Sequence, residues 1–91
     1  SLKIIAKNKL WIGYIDRIED IKKQTIIEEI LELDPSKEWL LSLGHGNVDI
    51  AINGELQEFN TPNNLRFLYK NGELKKLNFR DFKILNEGRV W

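Results

Sequence analysis

Residues 16–35 read DRIEDIKKQTIIEEILELDP. Counted from Ile15, the apolar residues at 15, 18, 21, 26, 30 and 33 follow helical spacing better than alternation, and Glu19 with Lys23 makes an i,i+4 pair in the favoured order. The segment is therefore expected to be helical. Thr25-Ile26-Ile27-Glu28 matches a capping box, so the helix either runs through or breaks near Gln24 and restarts at Ile26. Ile26, Ile27, Ile30 and Leu31 cover a wide arc, and a buried strand over residues 25–33 is the competing reading.

On the C-terminal side, residues 34–46 read DPSKEWLLSLGHG. Asp34 or Ser36 can cap a helix, Pro35 suits a first turn, Trp39, Leu40 and Leu43 lie on one face, and Gly44 or Gly46 supplies an exit. A short helix over about residues 35–43 is expected. On the N-terminal side, KIIAKNKLWIGYI at 3–15 is rich in β-formers around a polar break at 7–9, and predicts a strand at 10–15 with a preceding arm or a short hairpin. Ser1 and Leu2 carry no weight in this reading.

The second half is punctuated by a repeat: NGEL occurs in IAINGELQEFN at 50–60 and in LYKNGELKKLN at 68–78. Asn-Gly tolerates positive φ at adjacent positions, and both copies sit between β-formers, so each marks a hairpin. With TPNN at 61–64 as a further reversal, the hairpins predict a four-stranded antiparallel meander. In the second hairpin a two-residue loop sets Tyr69 opposite Leu74 and Lys70 opposite Glu73, whereas a three-residue loop sets Leu68 opposite Leu74 and exchanges the faces. LKKLNFRDFKIL at 74–85 is read as a long last strand with a bulge or turn near Arg80-Asp81. Trp91 is expected to fold back on the domain, since a large aromatic gains by burial.

These expectations make residues 1–91 one small α+β domain: an N-terminal strand or hairpin, one or two helices, then the meander on which the helices pack. Hydrophobic residues are 42% and charged residues 31%, the balance of an ordered domain. Without cysteine there is no thiolate ligand, cysteine nucleophile or disulfide, and cytoplasmic residence is the default expectation. No apolar run approaches the roughly 18 residues of a membrane span. Net charge is zero, but residues 1–61 hold four more acids than bases and residues 62–91 four more bases than acids. The isoleucine, lysine and asparagine usage has the look of an AT-rich bacterial or phage genome.

No motif carries catalysis, and no metal or cofactor is expected. His45, flanked by glycines near Ser42 and Asp49, lacks a nucleophile-elbow context and reads as a loop residue. Asp16, Glu19 and Asp20 read as an acidic first helical turn in preference to a magnesium site. Asp49 with Glu73-x-Lys75 has the residue types of a small metal-dependent nuclease or hydrolase, but the first NGEL copy carries Gln57 where the second has Lys75. The expected function is a non-enzymatic protein-interaction module, an accessory or inhibitor protein acting by surface occupation, with Trp11, Tyr14, Trp39 and Trp91 as partner-binding anchors. Sheet edges also admit a homo-oligomer. The alternative is nucleic-acid binding by a basic and aromatic C-terminal sheet through Arg66, Phe67, Tyr69, Lys70, Lys76 and Arg80.

Overall fold

The computed structural model describes residues 1–91, which form nine strands and one helix. In chain order these are β1 Leu2–Ala6, β2 Leu10–Asp16, β3 Ile21–Ile27, β4 Ile30–Leu33, β5 Trp39–Leu43, β6 Val48–Ile52, β7 Glu55–Phe59, β8 Leu65–Lys70, β9 Glu73–Leu77 and α1 Phe79–Leu85. They build two antiparallel sheets, β4-β1-β6-β7 (sheet A) and β3-β2-β5-β8-β9 (sheet B). The sheets stack as a sandwich whose core alternates along each strand: Leu2, Ile4, Val48 and Ile50 from sheet A meet Leu10, Ile12, Leu41, Phe67 and Tyr69 from sheet B. α1 covers the outer face of sheet B by packing Phe82 on Ile15, Leu40 and Leu77. It is far too short to cross a membrane.

The α+β expectation is therefore corrected to a β-sandwich with one C-terminal helix. Residues 16–35 are not helical. The chain turns at 17–20, where Asp20 takes φ 56°, runs out as β3, turns the corner at Glu28-Glu29 and continues as β4. Both strands are sheet edges: β3 is exposed over its first four residues, and β4 alternates, with Leu31 and Leu33 toward the core, but over only four residues, so the isoleucines fall by accident near helical spacing. The competing reading of a buried strand over 25–33 finds the right conformation, broken where the chain changes sheet, but not the burial, since of these residues only Leu33 is buried.

The helix expected at 35–43 is also overturned. Asp34 Oδ1 accepts from the Ser36 N–H at 2.9 Å and the Ser36 hydroxyl at 2.7 Å, so the capping residues close a turn instead. Trp39–Leu43 is the central strand of sheet B, with Trp39, Leu41 and Leu43 in the sandwich core and Leu40 and Ser42 on the outer face. All five are buried. A strand buried on both faces shows no alternation, and periodicity cannot separate it from a helix.

Both Asn-Gly hairpins form, with Asn53, Gly54, Asn71 and Gly72 at positive φ. The second takes the two-residue register, Tyr69 opposite Leu74 and Lys70 opposite Glu73. The meander does not: residues 60–64 carry the chain from sheet A to sheet B, so the hairpins lie in opposite layers. The last strand stops at Leu77, because the Asn78 side chain accepts the Asp81 N–H at 2.8 Å and caps α1. Leu2, given no weight above, is fully buried in the core.

Candidate interaction surface

Sheet A's outer face carries no covering element, and sheet B's is covered only in part, which leaves an aromatic ledge at the β2–β3 side. Trp11 and Gly13 of β2 point outward there, opposite Ile26 and Gln24 of β3. The C-terminal segment crosses this face and lays the Trp91 indole on Gly13. A Cβ on Gly13 would stand 2.4 Å from the ring, so the absent side chain is what makes the seat. Trp91 Nε1 donates to Gln24 Oε1 at 2.9 Å, the Trp11 and Trp91 rings meet edge to face at 5.5 Å and 86°, and the Lys22 ammonium lies 4.4 Å from the Trp91 ring centroid. Lys22 Nζ also donates to the Trp91 carbonyl. Ile26, beside Trp11, is 57% exposed. The ledge is thus two half-buried indoles, one bare aliphatic side chain and one lysine.

Next to it a cleft of about 440 Å³ opens between the β2–β3 turn and the end of α1, lined by Ile15, Arg17, Lys22, Leu85, Asn86 and Arg89 among others. Buried Asn86 donates its side-chain N–H to the Arg89 carbonyl at 3.0 Å and turns the tail toward the ledge. Arg17 pairs with Glu38 at 2.7 Å and Arg89 with Glu87 at 2.5 Å. Lys22 spans ledge and cleft and contacts the ring and carbonyl of Trp91.

At one end of the sandwich, Lys37 Nζ stands 2.6 Å from both Asp16 Oδ2 and Glu19 Oε2. Asp16 Oδ1 also accepts from the Ile18 and Glu19 N–H groups. The Lys37 hydrogen bond, aided by these amides, holds the Asp16 carboxyl below the ordinary carboxylate range despite burial; reciprocally, Asp16 first and Glu19 second push the Lys37 ammonium upward. The cation among these acids is an ammonium, and no cluster of three or more His, Asp or Glu side chains suited to a metal is formed.

The anchors expected from sequence divide into two pairs. Trp11 and Trp91 form the ledge. Trp39 is buried, donates Nε1–H to the Asp34 carbonyl at 2.8 Å and stacks at a tilt on half-buried Tyr14, so this pair serves the sandwich core. In the nucleic-acid set, Phe67 and Tyr69 are 1% exposed between the sheets, out of reach of a base. Arg66 lies outward with its guanidinium 4.6 Å from the Phe79 ring, Lys70 sits at a hairpin beside Glu38, Lys76 points to the interlayer side, and Arg80 is on α1. These six do not share a face.

Asp49 and Glu73 belong to the outer rows of opposite sheets, so the sandwich separates the proposed nuclease carboxylates. Asp49 pairs instead with Lys7 at 3.2 Å. His45 bridges the Lys9 carbonyl at Nε2, 2.9 Å, and the Asn47 N–H at Nδ1, 3.0 Å, which makes it a loop staple. Sequence reasoning missed Ile26 as a contact residue. Ile26 gains meaning only once β3 pairs with Trp11. Comparison of the chain with protein-family models, curated proteins and solved structures finds no match.

Proposed function

We propose that this protein is a non-enzymatic interaction module that acts by occupying a partner protein's surface, and that the Trp11–Ile26–Trp91 ledge is its contact. The observation that carries the reading is a bare isoleucine set against two indoles already held rigid by Gly13, Gln24 and Lys22. Preorganised aromatic side chains lose little entropy on binding and dominate interface energetics. The chemistry that fits is a protein surface offering an apolar knob to the ledge and a carboxylate to Lys22. The test is to capture the partner, purify it, and titrate it by calorimetry with wild type, Ile26→Asp and Glu32→Ala. Ile26→Asp is expected to weaken binding at least about tenfold with an unchanged melting temperature, while Glu32→Ala, on the other sheet, binds normally. Equal affinity for wild type and Ile26→Asp refutes the ledge.

One observation favours a second reading. Phe79 is 42% exposed, with the Arg66 guanidinium 4.6 Å and the Lys83 ammonium 5.6 Å from its ring centroid. A cation-flanked ring can stack a single-stranded base. That reading requires polarisation of a labelled single-stranded oligonucleotide to rise on binding, to fall steeply with salt, and to be lost in Phe79→Ala.

A further inference from the structure

The two layers are unequal. Sheet A has four strands and sheet B five. The sheet orders β4-β1-β6-β7 and β3-β2-β5-β8-β9 match strand for strand through the short crossings β3 to β4, β1 to β2, β5 to β6 and β7 to β8, and at the last of these the Phe59 ring of β7 lies 5.2 Å from the Phe67 ring of β8. β9 is left with no strand over it. Its side chains register the vacancy: Leu74 and Lys76 pair with Tyr69 and Phe67 and so point to the interlayer side, yet Leu74 is only half-buried and Lys76 is exposed.

β7 is the free edge beside that empty place. Its two-residue hairpin closes on Ile52 and Glu55, which makes them a hydrogen-bonded pair, so alternation turns the N–H and C=O of Leu56 and Glu58 away from β6. By the same argument the main-chain groups of Leu74 and Lys76 point away from β8. The side of the sandwich is therefore a step, with an unfilled place beside β7 and an unpaired strand projecting below it.

We propose that this step is a homodimer interface in which β9 of each copy fills the fifth place beside β7 of the other. A two-fold axis parallel to the strands and midway between the layers exchanges top with bottom and left with right, so both vacancies close together. Two β7 edges cannot meet directly, because the projecting β9 would collide with β8 of the second copy. β9 pairs antiparallel with β8, and the short 60–64 crossing returns the chain from the end of β7 into β8, which reverses its direction, so the new pairing is parallel, and a rotation about this axis preserves height along the strands. Phe59 lies level with Phe67, and Phe67 pairs with Lys76. Phe59 then falls beside the second copy's Lys76, Glu58 beside its Lys75 and Gln57 beside its Leu74. Charge agrees with shape at the paired positions: β7 carries Glu55 and Glu58, and β9 carries Lys75 and Lys76, while its one acid, Glu73, falls beside Leu56 in this register. The two Leu74 side chains face each other across the axis and cover the bare interlayer surface. This contact uses none of the ledge and stands independently of it.

Sedimentation equilibrium from micromolar to millimolar protein tests the proposal. Wild type is expected to shift from monomer to dimer, with the Leu56, Glu58, Leu74 and Lys76 amides gaining hydrogen-exchange protection as it does. Glu58→Lys alone and Lys75→Glu alone each set like charges against each other at both symmetric contacts and are expected to weaken the dimer about tenfold or more; an equimolar mixture of the two restores opposite charges at both and is expected to recover a heterodimer. Glu58 and Lys75 are both exposed, so a fold defect cannot imitate the recovery. A monomer at every concentration overturns the proposal, as does a dimer indifferent to both reversals. A monomer whose edge amides become protected only with an added linear peptide assigns the step to such a strand and overturns it equally.

Discussion

Replacing Gly13 by alanine tests whether the C-terminal tryptophan is seated where the strand lacks a side chain. The new Cβ would stand 2.4 Å from the Trp91 indole, well over 1 Å short of an ordinary carbon contact of about 3.5–4 Å, so the ring must leave. It then loses its edge-to-face contact with Trp11, about 0.5–1.5 kcal/mol. It also loses the Lys22 cation, about 0.5–1 kcal/mol at an exposed site, together with part of its apolar burial. Against this, alanine is better than glycine in a strand by about 0.5–1 kcal/mol. The net expected loss is about 1–2 kcal/mol, or roughly 4–8 °C in Tm for each kcal/mol in a domain of this size. Urea denaturation of Gly13→Ala, Trp91→Ala and the double variant measures it. With the indole already removed, Gly13→Ala is expected to be neutral or stabilising, which makes the cycle strongly non-additive. The same loss for Gly13→Ala in both backgrounds would refute the reasoning.

Three further outcomes are expected. Asp16 has its pKa lowered by Lys37, so its contribution to stability is complete above the unfolded carboxylate value of about 3.9 and disappears as pH falls through the lower folded value; the acid limb of a Tm-versus-pH profile should flatten in Asp16→Asn. Gly54→Ala and Gly72→Ala meet no atom within 4 Å but retain positive φ, so each should cost about 1–2 kcal/mol in urea from backbone strain alone, while Gly46→Ala, whose Cβ would stand 2.3 Å from Thr61, should fail sterically. Trp39→Ala, which empties a core position, should cost about 3–5 kcal/mol by denaturation and so read as loss of fold rather than of a contact.

The legible parts of the chain are those set by neighbours in sequence. Asn-Gly at 53–54 and 71–72 imposes positive φ whatever surrounds it, and the hydrophobic pattern of 65–77 allows the two-residue register that places Tyr69 against Leu74. Asp34 and Ser36 read as helix caps, and they close a turn instead. Of the candidate site, Trp11 and Trp91 were named from residue type, and the return of Trp91 onto the domain was foreseen from its size. Its seat was not, because nothing local distinguishes Gly13 as the position that a residue 78 places later will cover.

What the sequence by itself determined is the two Asn-Gly reversals and a chain apolar enough for one core, with the register across the second turn open between a two- and a three-residue loop. Only the tertiary structure decided that residues 39–43 are a strand, since burial on both faces erases the alternation by which strands are read. It likewise decided that the two hairpins part into opposite layers. Hairpin formation is a local event, but the layer that a hairpin joins is settled by which partner buries its apolar face. Here the strand paired at the hairpin's edge, which fixes its layer, is β1 for β6 and β5 for β8, each more than twenty residues away along the chain.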